Sequence, residues 1–503
     1  MNLLDKIIGA VSPEAGVRRH QARQALEAIR GYDAAQNGRR TGSFRPGLPS
    51  ANANIGRALP LLRERSRELV RNTFIGARVL DLHATHIVSP DLSVRFSGTG
   101  PAVRQAQALW DEWAKACDIE GETNFTGLVA LGVRASLEGG DSIIRMIDRP
   151  LRDERAVPLA LHVGEGDLID ETRDADSALS GTRRARLGVE LGEHDERLGY
   201  WLHRVAPGEP QRVLVSGLPL SEFIAREQVC HLYRRIRPGQ VRGVPLFAPV
   251  LMGARDFADV MDALVVKSRL EASIGVFIKS NESASSVGAA ITGNQGADSA
   301  RLEQIRPGLI KYLRQGEEMQ AFAPSSNTAF EPIARSALMG IAAGVGLTYH
   351  QLTGDLSQAN YSSLRAGLLE HRRFTADLQW HMLAPQVLDR IIARFIDRAI
   401  LAGRLRRRAE GYPVEVIMPA HEPVDPKKDL EADILAVRAG RMSPQDFIGA
   451  WGRDWRAVMA EYAEFFAAAD AAGAIFDTDA RKRTQTGQVV SAGTPAAATE
   501  GQP

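Results

Sequence analysis

The chain has 503 residues, 44% of them hydrophobic, which is enough apolar material for several folded units. Its 62 Lys and Arg nearly balance 61 Asp and Glu, and the formal charge of +1 disfavours a protein that coats nucleic acid. Residues 1–11 do not have the pattern of a secretory signal, and the sequence contains no apolar run of the ~18 residues that a membrane span needs. We therefore expect a soluble chain without a membrane partner.

The first half of the chain predicts an extended arm, then helices, then strands. Residues 1–50 are rich in Arg, Gly, Asn and Pro. Helical periodicity covers 52–85, 102–116, which carries Trp110 and Trp113 as core candidates, and 124–137, which begins at the cap candidate Asn124. Strand composition then appears in four segments: 142–146, 159–163, 199–205 and 211–215.

The second half predicts helices around a small strand-bearing insert. Helical periodicity returns over 245–272 and 330–346, and the insert between them contains strand candidates at 276–278, 308–313 and 318–322. A loop over 347–360 leads to a helix over 362–402, about 60 Å long, which Pro385 is expected to kink or break. Two further helices follow, 429–441 and 443–472, and the second carries Trp451 and Trp455 as core candidates. A segment beyond residue 483 has disordered composition. Together these elements predict an α+β protein.

The sequence lacks the usual motifs of catalysis. It contains no P-loop, no H-E-x-x-H and no G-x-S-x-G. His83 and His86 are the closest histidine pair on a predicted helix, but no third ligand follows at a suitable spacing. Cys117 and Cys230 lie in hydrophobic patterns and are predicted to be buried free thiols. We expect no enzymatic activity, no cofactor and no metal.

One segment carries a resemblance to a known family. Residues 349–373 read YHQLTGDLSQANYSSLRAGLLEHRR, and this string is similar to the signature of lambda-like portal proteins of tailed bacteriophages. Three other stretches agree with that family in the same order: 32–72, then His231 with 237–245, and 424–440. At 86–90 the chain departs from the family pattern, which affects one local loop.

The resemblance implies a structural, DNA-conducting function. Proteins of this family form a closed ring, usually of twelve subunits, at one vertex of the capsid. The expected partners are further copies of the chain, double-stranded DNA that passes through the channel, the terminase large subunit, the major capsid or scaffold protein, and head-tail connector proteins. The ring is expected in the virion, after assembly in the host cytoplasm. The alternatives are an oligomeric head scaffold or adaptor without a channel, and an enzyme of the packaging system.

The resemblance also implies a division of the chain. In chain order the expected parts are an N-terminal arm (1–50), an α+β wing (51–244), a first stem helix (245–272), a strand-bearing clip (273–329), a second stem helix (330–346), a tunnel loop (347–361), a long wing helix (362–402), a helical C-terminal wing and crown (403–478) and a disordered tail (479–503).

Two sets of residues are the candidate sites. The tunnel-loop candidates, which would face DNA, are Thr348, Gln351, Thr353, Asp355, Ser357, Gln358 and Asn360. The loop contains no Lys or Arg, so it is expected to guide moving DNA without binding it firmly. The ring-packing candidates are Ser336, Gly340, Gly344, Arg365 and Glu370.

For several of these residues a local interpretation remains open. Asp355 is equally suited to capping a turn or the next helix. The small residues of 334–346 fit a helix pair within one chain as well as neighbouring subunits. Arg365 is either a partner of a carboxylate on the next subunit or a solvated charge. The basic run 404–408 either meets DNA or forms a solvated face near the end of a helix.

Overall fold

The fold is seen in a computed structural model of the chain. The structure describes residues 50–98, 100–151, 155–174, 184–208, 221–273, 277–280, 317–320, 330–357, 359–420, 425–476, 478–479 and 481–482. The chain divides into two compact units, Met1–Asn54 and Ile55–Pro503. Of the first unit only residues 50–54 are described, where the first helix begins. The predicted arm and most of the predicted tail lie outside the described residues.

Two helices occupy the region where the sequence predicts one continuous helical segment. They are α1 (Ala51–Asn72) and α2 (Phe74–Ile87). Thr73 separates them because its extended backbone ends the first helix and its hydroxyl accepts a hydrogen bond from the Gly76 amide at 3.1 Å. Gly76 allows the two helices to meet closely, since a Cβ there would lie 2.5 Å from the Leu69 carbonyl oxygen.

A short strand and two helices follow. They are β1 (Ser93–Phe96), α3 (Pro101–Lys115) and α4 (Phe125–Gly139). Trp110 and Trp113 on α3 are almost fully buried, which confirms their assignment to the core. Asn124 caps α4 as predicted, because its side-chain oxygen accepts the Gly127 amide at 2.9 Å.

Seven strands form two antiparallel sheets in the middle of the chain. In chain order they are β2 (Asp141–Asp148), β3 (Leu159–Glu165), β4 (Arg184–Arg186), β5 (Val189–Leu191), β6 (Arg197–His203), β7 (Ser221–Ala225) and β8 (Val229–Tyr233). One sheet has the order β3-β2-β8 and the other β4-β5-β6-β7. The predicted strand at 211–215 lies outside the described residues.

Strand β2 lies between two hydrophobic cores. Successive side chains of a strand point to opposite faces, so Ile143 packs into a smaller core with Tyr200 and Val229, and Ile144 packs into the main core. Helices α2, α3 and α4 and the later long helix supply a large part of the main core. The predicted buried free thiols are confirmed, since Cys117 and Cys230 are both buried and unbridged.

Asp141, the first residue of β2, lies at the centre of a buried charge cluster. Its carboxylate accepts hydrogen bonds from the guanidinium of Arg242, from Arg63 Nη2 at 3.2 Å and from His231 Nε2 at 3.2 Å. Asp141 and Arg242 are completely buried. Burial raises the pKa of Asp141, but the charge of Arg242 and the hydrogen bond from His231 outweigh it, so the pKa lies well below its usual range. The carboxylate is therefore charged at neutral pH.

His231 in this cluster is neutral. Arg197 donates to His231 Nδ1 at 3.0 Å, so that nitrogen is the acceptor and the Nε2 hydrogen is donated to Asp141. Burial lowers the pKa of His231 to about 4, although Asp141 acts in the opposite direction. Both ring nitrogens of His231 therefore take part in hydrogen bonds. The cluster connects α1, β2, β6, β8 and the segment that precedes the next helix.

The insert predicted at 273–329 connects two long helices. Helix α5 (Leu251–Ser273) leads to β9 (Phe277–Ser280), which pairs with β10 (Glu317–Gln320) in antiparallel fashion, and α6 (Phe330–Gly344) follows. The predicted start of the first helix at 245 is wrong by six residues. Pro249 disfavours helical geometry at the residue before it, so the regular helix begins only after this turn. The strand predicted at 308–313 lies outside the described residues.

The long helix is continuous, but it changes from α-helical to π-helical geometry and back. It consists of α8 (Tyr361–Leu378), a π-helical segment (Gln379–Leu388) and α9 (Asp389–Leu401), and α7 (Tyr349–Thr353) precedes it. The break predicted at Pro385 is wrong, because the wider π-helical turn accommodates a residue that lacks an N–H. The predicted loop at 347–361 likewise contains a helix, α7, which is too short to show periodicity in the sequence.

The C-terminal part of the chain contributes a strand that pairs with a strand from the first half. Strand β11 (Val414–Ile417) pairs with β1 in antiparallel fashion, and three helices follow: α10 (Pro426–Arg438), α11 (Pro444–Ala450) and α12 (Trp455–Ala471). The single helix predicted over 443–472 is wrong, because the backbone turns at Gly452, which has φ +73°, and Asp454 caps a new helix. Trp451 and Trp455 are also not core residues, since the first is 39% exposed and the second is half-buried.

The described helices include none with the length and apolar composition of a membrane span. The elements together confirm the predicted α+β class.

The Asp141 cluster makes a prediction about stability. Asp141→Ala leaves the guanidinium groups of Arg242 and Arg63 buried without their shared carboxylate, and we expect the free energy of unfolding to fall by about 3–5 kcal/mol. Urea denaturation followed by circular dichroism measures the loss. Arg453→Gln is the control, because it breaks an exposed pair with Glu461 that is worth at most about 1 kcal/mol. Equal effects of the two substitutions would show that the buried cluster does not hold the wing together.

Candidate functional site

The candidate site is the segment between α6 and α8, which the sequence predicts as a loop. Its first half is a capped helical turn. The Thr348 hydroxyl accepts the Gln351 amide at 3.3 Å, and the Gln351 side-chain oxygen accepts the Thr348 amide at 3.0 Å. This is a capping box, which satisfies two amides at the start of a helix. The Thr353 hydroxyl donates to the Tyr349 carbonyl at 2.8 Å. Three predicted tunnel-loop side chains are thus used inside α7.

Asp355 organises the turn that follows α7. Its Oδ1 accepts the Ser357 amide at 2.9 Å, and its Oδ2 accepts the Tyr349 hydroxyl at 3.3 Å. The hydrogen bonds from Ser357, and more weakly that from Tyr349, lower the pKa of Asp355. His350 Nδ1 donates to the Asp355 carbonyl at 2.7 Å. The turn-capping interpretation of Asp355 is therefore confirmed, and the carboxylate keeps its negative charge at neutral pH.

Asn360 ends the segment as the cap of α8. The Oδ1 atom of Asn360 accepts a hydrogen bond from the Ser363 backbone amide at 2.8 Å. The backbone amide of Asn360 donates to the Ser363 hydroxyl at 3.2 Å. Gln358 lies outside the described residues. The exposed residues of the described part of the segment are Gly354, Leu356, which is 59% exposed, Ser357 and Asn360. In the described residues, the tip after α7 therefore presents the apolar side chain of Leu356 and the hydroxyl of Ser357 next to a charged carboxylate.

Side chains from two helices hold the start of the segment in place. His83 Nε2 on α2 donates to the Val345 carbonyl at 2.9 Å, and Arg78 on the same helix donates to the Gln351 carbonyl at 3.3 Å. His371 on α8 donates through Nδ1 to the Gly346 carbonyl at 3.4 Å. Its Nε2 lies 2.6 Å from His86 Nδ1. Three side chains that the sequence does not assign to the site thus contact one end of it, and His86 contacts one of these three, His371.

The ring-packing candidates divide into outward-facing and inward-facing residues. Ser336 and Gly340 are exposed on α6, and a Cβ at Gly340 would meet nothing within 4 Å. A Cβ at Gly344 would lie 2.3 Å from a methyl group of Val250, so this glycine serves packing within the chain. Glu370 is exposed on α8.

Arg365 pairs within its own chain. Its Nη2 donates to Asp429 Oδ1 on α10 at 2.8 Å, and its Nη1 donates to the Tyr361 hydroxyl at 3.0 Å. The carboxylate that the sequence interpretation sought on a neighbouring subunit is thus supplied by α10. A contact of Arg365 with a second subunit stays a prediction.

Comparison with known proteins identifies the family. The family model described as "Phage portal protein, lambda family" matches residues 37–379. The chain belongs to the lambda family of phage portal proteins. The match includes α7 and all of α8, so the candidate segment lies inside the shared region. Portal proteins of this family are generally structural components of the phage particle, and this chain is a portal protein.

Individual relatives agree with this assignment. A probable portal protein of Halomonas phage phiHAP-1 is 26% identical over 422 residues, which cover 78% of this chain and 77% of the relative. Portal protein B of Escherichia phage lambda is 22% identical over 442 residues, which cover 79% and 81%. Among solved structures, the neck of a native gene transfer agent particle computed with C12 symmetry has a TM-score of 0.43 at 15% identity, and covers 81% of this chain and 95% of its own.

Three histidines of this portal protein lie close together. His83, His86 and His371 meet in the interior, but no group of three or more His, Cys, Asp or Glu side chains in the described part of the chain is placed to hold a metal ion. Burial, followed by the charge of His371, lowers the pKa of His83 to about 4. The sequence shows His83 and His86 as neighbours on one helix, whereas His371 is 285 residues from His86 and no local pattern connects them.

The neutral state of His83 makes a prediction about pH dependence. Its pKa is about 4 in the folded state and about 6.5 in the unfolded state, so the unfolded chain binds more protons between these pH values and stability rises with pH across that window. Between pH 7 and pH 5 this one group is expected to remove about 2 kcal/mol of stability, because one pKa unit corresponds to about 1.4 kcal/mol.

Urea denaturation at several pH values tests this. His83→Gln keeps a donor for the Val345 carbonyl and does not titrate, so its stability should fall less than that of the parent protein between pH 7 and pH 5. His381→Gln is the control, since His381 is an exposed histidine on the π-helical segment. A His83→Gln profile that runs parallel to the parent profile would mean that His83 is not neutral in the folded protein.

Proposed function

We propose that this portal protein forms a closed ring, of twelve subunits as the family resemblance implies, through which double-stranded DNA enters and leaves the capsid. The ring lies at one vertex of the capsid and is built in the host cytoplasm. It binds the terminase large subunit during packaging, head-tail connector proteins afterwards, and the major capsid or scaffold protein during assembly. It performs no catalysis. Family membership across residues 37–379 is the observation that carries this proposal.

Exposed apolar side chains on the two long helices support the ring. On α5, Val260, Val265 and Val266 are each 44–52% exposed, and on α6 Ile333 is 61% exposed and Met339 44% exposed. A contiguous apolar patch on the solvent side of a chain marks an interface, and we propose that these side chains form such a patch between subunits. The exposed Ser336 and Gly340 on α6 would let a neighbouring helix approach closely, with Glu370 and Arg365 on α8 as further contact candidates.

We propose that the segment from Thr348 to Asn360 lines the channel. Most of its polar side chains already have partners: Thr348 and Gln351 bond to each other, and Asp355 and Asn360 bond to backbone amides. A passing duplex would therefore meet mainly the tip at Leu356 and Ser357, beside the carboxylate of Asp355. Without Lys or Arg, the segment has no cation to neutralise a phosphate, so DNA would slide past it. Gln358 and Thr353 complete the proposed lining.

Ring formation is tested by enlarging the open face of α6. Gly340→Gln should leave the subunit folded, and even favour the helix, because Gly is among the weakest helix formers and a Cβ at this position meets no neighbour. We expect the variant to lose rings in negative-stain images and to show a smaller mass by light scattering. Gly449→Gln on α11 is the matched control, because a Cβ there also meets nothing within 4 Å.

The parent protein must itself form rings with a central hole in these images. A monomer or an open filament from the parent would contradict the proposed function and favour a scaffold or adaptor. Rings of normal size from Gly340→Gln would show that this face of α6 is not at the subunit interface.

The channel role of the loop is tested at Asp355. Asp355→Lys replaces the carboxylate with a cation in every subunit, and we expect intact rings but about tenfold fewer DNA-filled heads, because each new cation can hold a phosphate. Asp355→Asn is the control, since its side-chain oxygen can still accept the Ser357 amide while its charge is lost. Normal packaging by the Lys variant would show that the segment does not meet DNA.

A further inference from the structure

The turn that connects α9 to β11 is the most basic short segment of the chain. It contains Arg404, Arg406, Arg407 and Arg408 within five residues. Helix α9 ends at Leu401, and Gly403, with φ +69°, reverses the backbone into the turn. None of these arginines lies in the candidate channel segment.

Contacts on both sides fix the backbone of this turn. Leu405 is buried in the main core and is only 4% exposed. The Gln105 side chain on α3 donates to the Arg404 carbonyl at 2.8 Å, and the Tyr412 hydroxyl donates to the Arg406 carbonyl at 2.8 Å. Because the carbonyls of Arg404 and Arg406 accept hydrogen bonds and Leu405 is buried, the backbone that carries these arginines is fixed in position.

Three of the four arginines have no partner in the part of the chain that the structure describes. Arg408 is occupied, because it pairs with Glu410 and lies over the Tyr412 ring at 5.3 Å. Arg404, Arg406 and Arg407 are exposed, and no hydrogen bond or ion pair of their side chains is found among the described residues.

A fourth exposed arginine lies on the helix that contacts the turn. Arg104 precedes Gln105 on α3, and its guanidinium likewise has no partner among the described residues. We call Arg104, Arg404, Arg406 and Arg407 the basic turn surface. Since the formal charge of the whole chain is only +1, the positive charge of this surface is a local property.

We propose that the basic turn surface binds the phosphate backbone of duplex DNA at a place separate from the channel segment. Guanidinium groups bind phosphate oxygens through two parallel hydrogen bonds. Residues 404–407 span at most about 10 Å, and duplex DNA carries one charge per about 1.7 Å of its axis, so more than one phosphate lies within reach of the turn. The inference rests on the proposed function only in taking DNA as the anion that this protein meets.

An acidic protein segment is a less fitting ligand for the surface. Protein interfaces usually have a buried aromatic or apolar centre, and the only large apolar side chain exposed at the described part of this turn is Leu401, 64% exposed. The surface and the channel segment then differ in function. The segment with no cation lets DNA slide, whereas the basic turn surface holds it.

DNA binding by the assembled, full-length protein tests the proposal. The probe is linear duplex DNA of mixed sequence, followed by fluorescence anisotropy between 50 and 200 mM salt. The variant carries Arg404→Gln, Arg406→Gln and Arg407→Gln together. We expect weaker binding and a slope of log K against log salt that is smaller by about 2–3, since each lost phosphate contact contributes about 0.9.

A second triple variant controls for total charge. Arg438→Gln, Arg441→Gln and Arg453→Gln remove the same charge from exposed positions in the C-terminal helical region, and the salt slope should stay close to that of the parent. Equal losses in both variants would overturn the proposal, because they would reflect overall charge alone. Unchanged DNA binding by the 404–407 variant would also overturn it, and if that variant then failed to bind the scaffold or capsid protein, the ligand would be an acidic protein.

These results are separable from the proposed function. Negative-stain images show whether the variants form rings, and we expect ring formation to be unaffected by changes in the basic turn surface. Intact rings with unaltered DNA binding would contradict only this inference, whereas a parent protein without rings would contradict the portal function itself.

Discussion

The buried carboxylate of Asp141 holds together the parts of the chain on which the candidate site depends. It joins Arg63 of α1, His231 of β8 and Arg242, which lies just before α5. A buried ion pair is costly unless every hydrogen-bonding group is satisfied, and here the donors of Arg242 also reach the carbonyls of Leu187 and Gly166. The cluster therefore specifies one arrangement of helices and sheets, from which α5 and α6 extend.

The candidate channel segment is built on this frame as an ordered structure. Helix α2 holds the carbonyls of Val345 and Gln351, so the start of the segment is tied to the main core. The capping box of α7 and the Asp355 turn then use up most of its polar side chains. This arrangement suits the proposed channel function, because polar groups that already have partners are poor ligands for a phosphate. The basic turn surface, whose arginines have no described partners, has the opposite property.

The sequence predicted the features that depend on near neighbours. The α+β class, the long helices and the cap at Asn124 follow from periodicity and from side-chain-to-backbone contacts over a few residues. For Asp355 the same rules left the capping of a turn as one of two interpretations. Predictions failed where the tertiary packing favoured a conformation that the sequence pattern of the segment does not predict. Pro385 did not break its helix, because the surrounding packing accommodates a π-helical turn, and Trp451 remained exposed although its spacing resembled a core pattern.

By itself, the sequence determined the family, the fold class and the place of the candidate segment, since the motif over 349–373 and the absence of Lys and Arg from the loop over 347–360 are local properties. Only the tertiary structure decided which polar groups already have hydrogen-bond or ion-pair partners. Arg242 reaches Asp141 across 101 positions, and His371 reaches His86 across 285. Contacts at such separations are selected by the packing of whole helices and sheets, and no pattern of neighbouring residues records them.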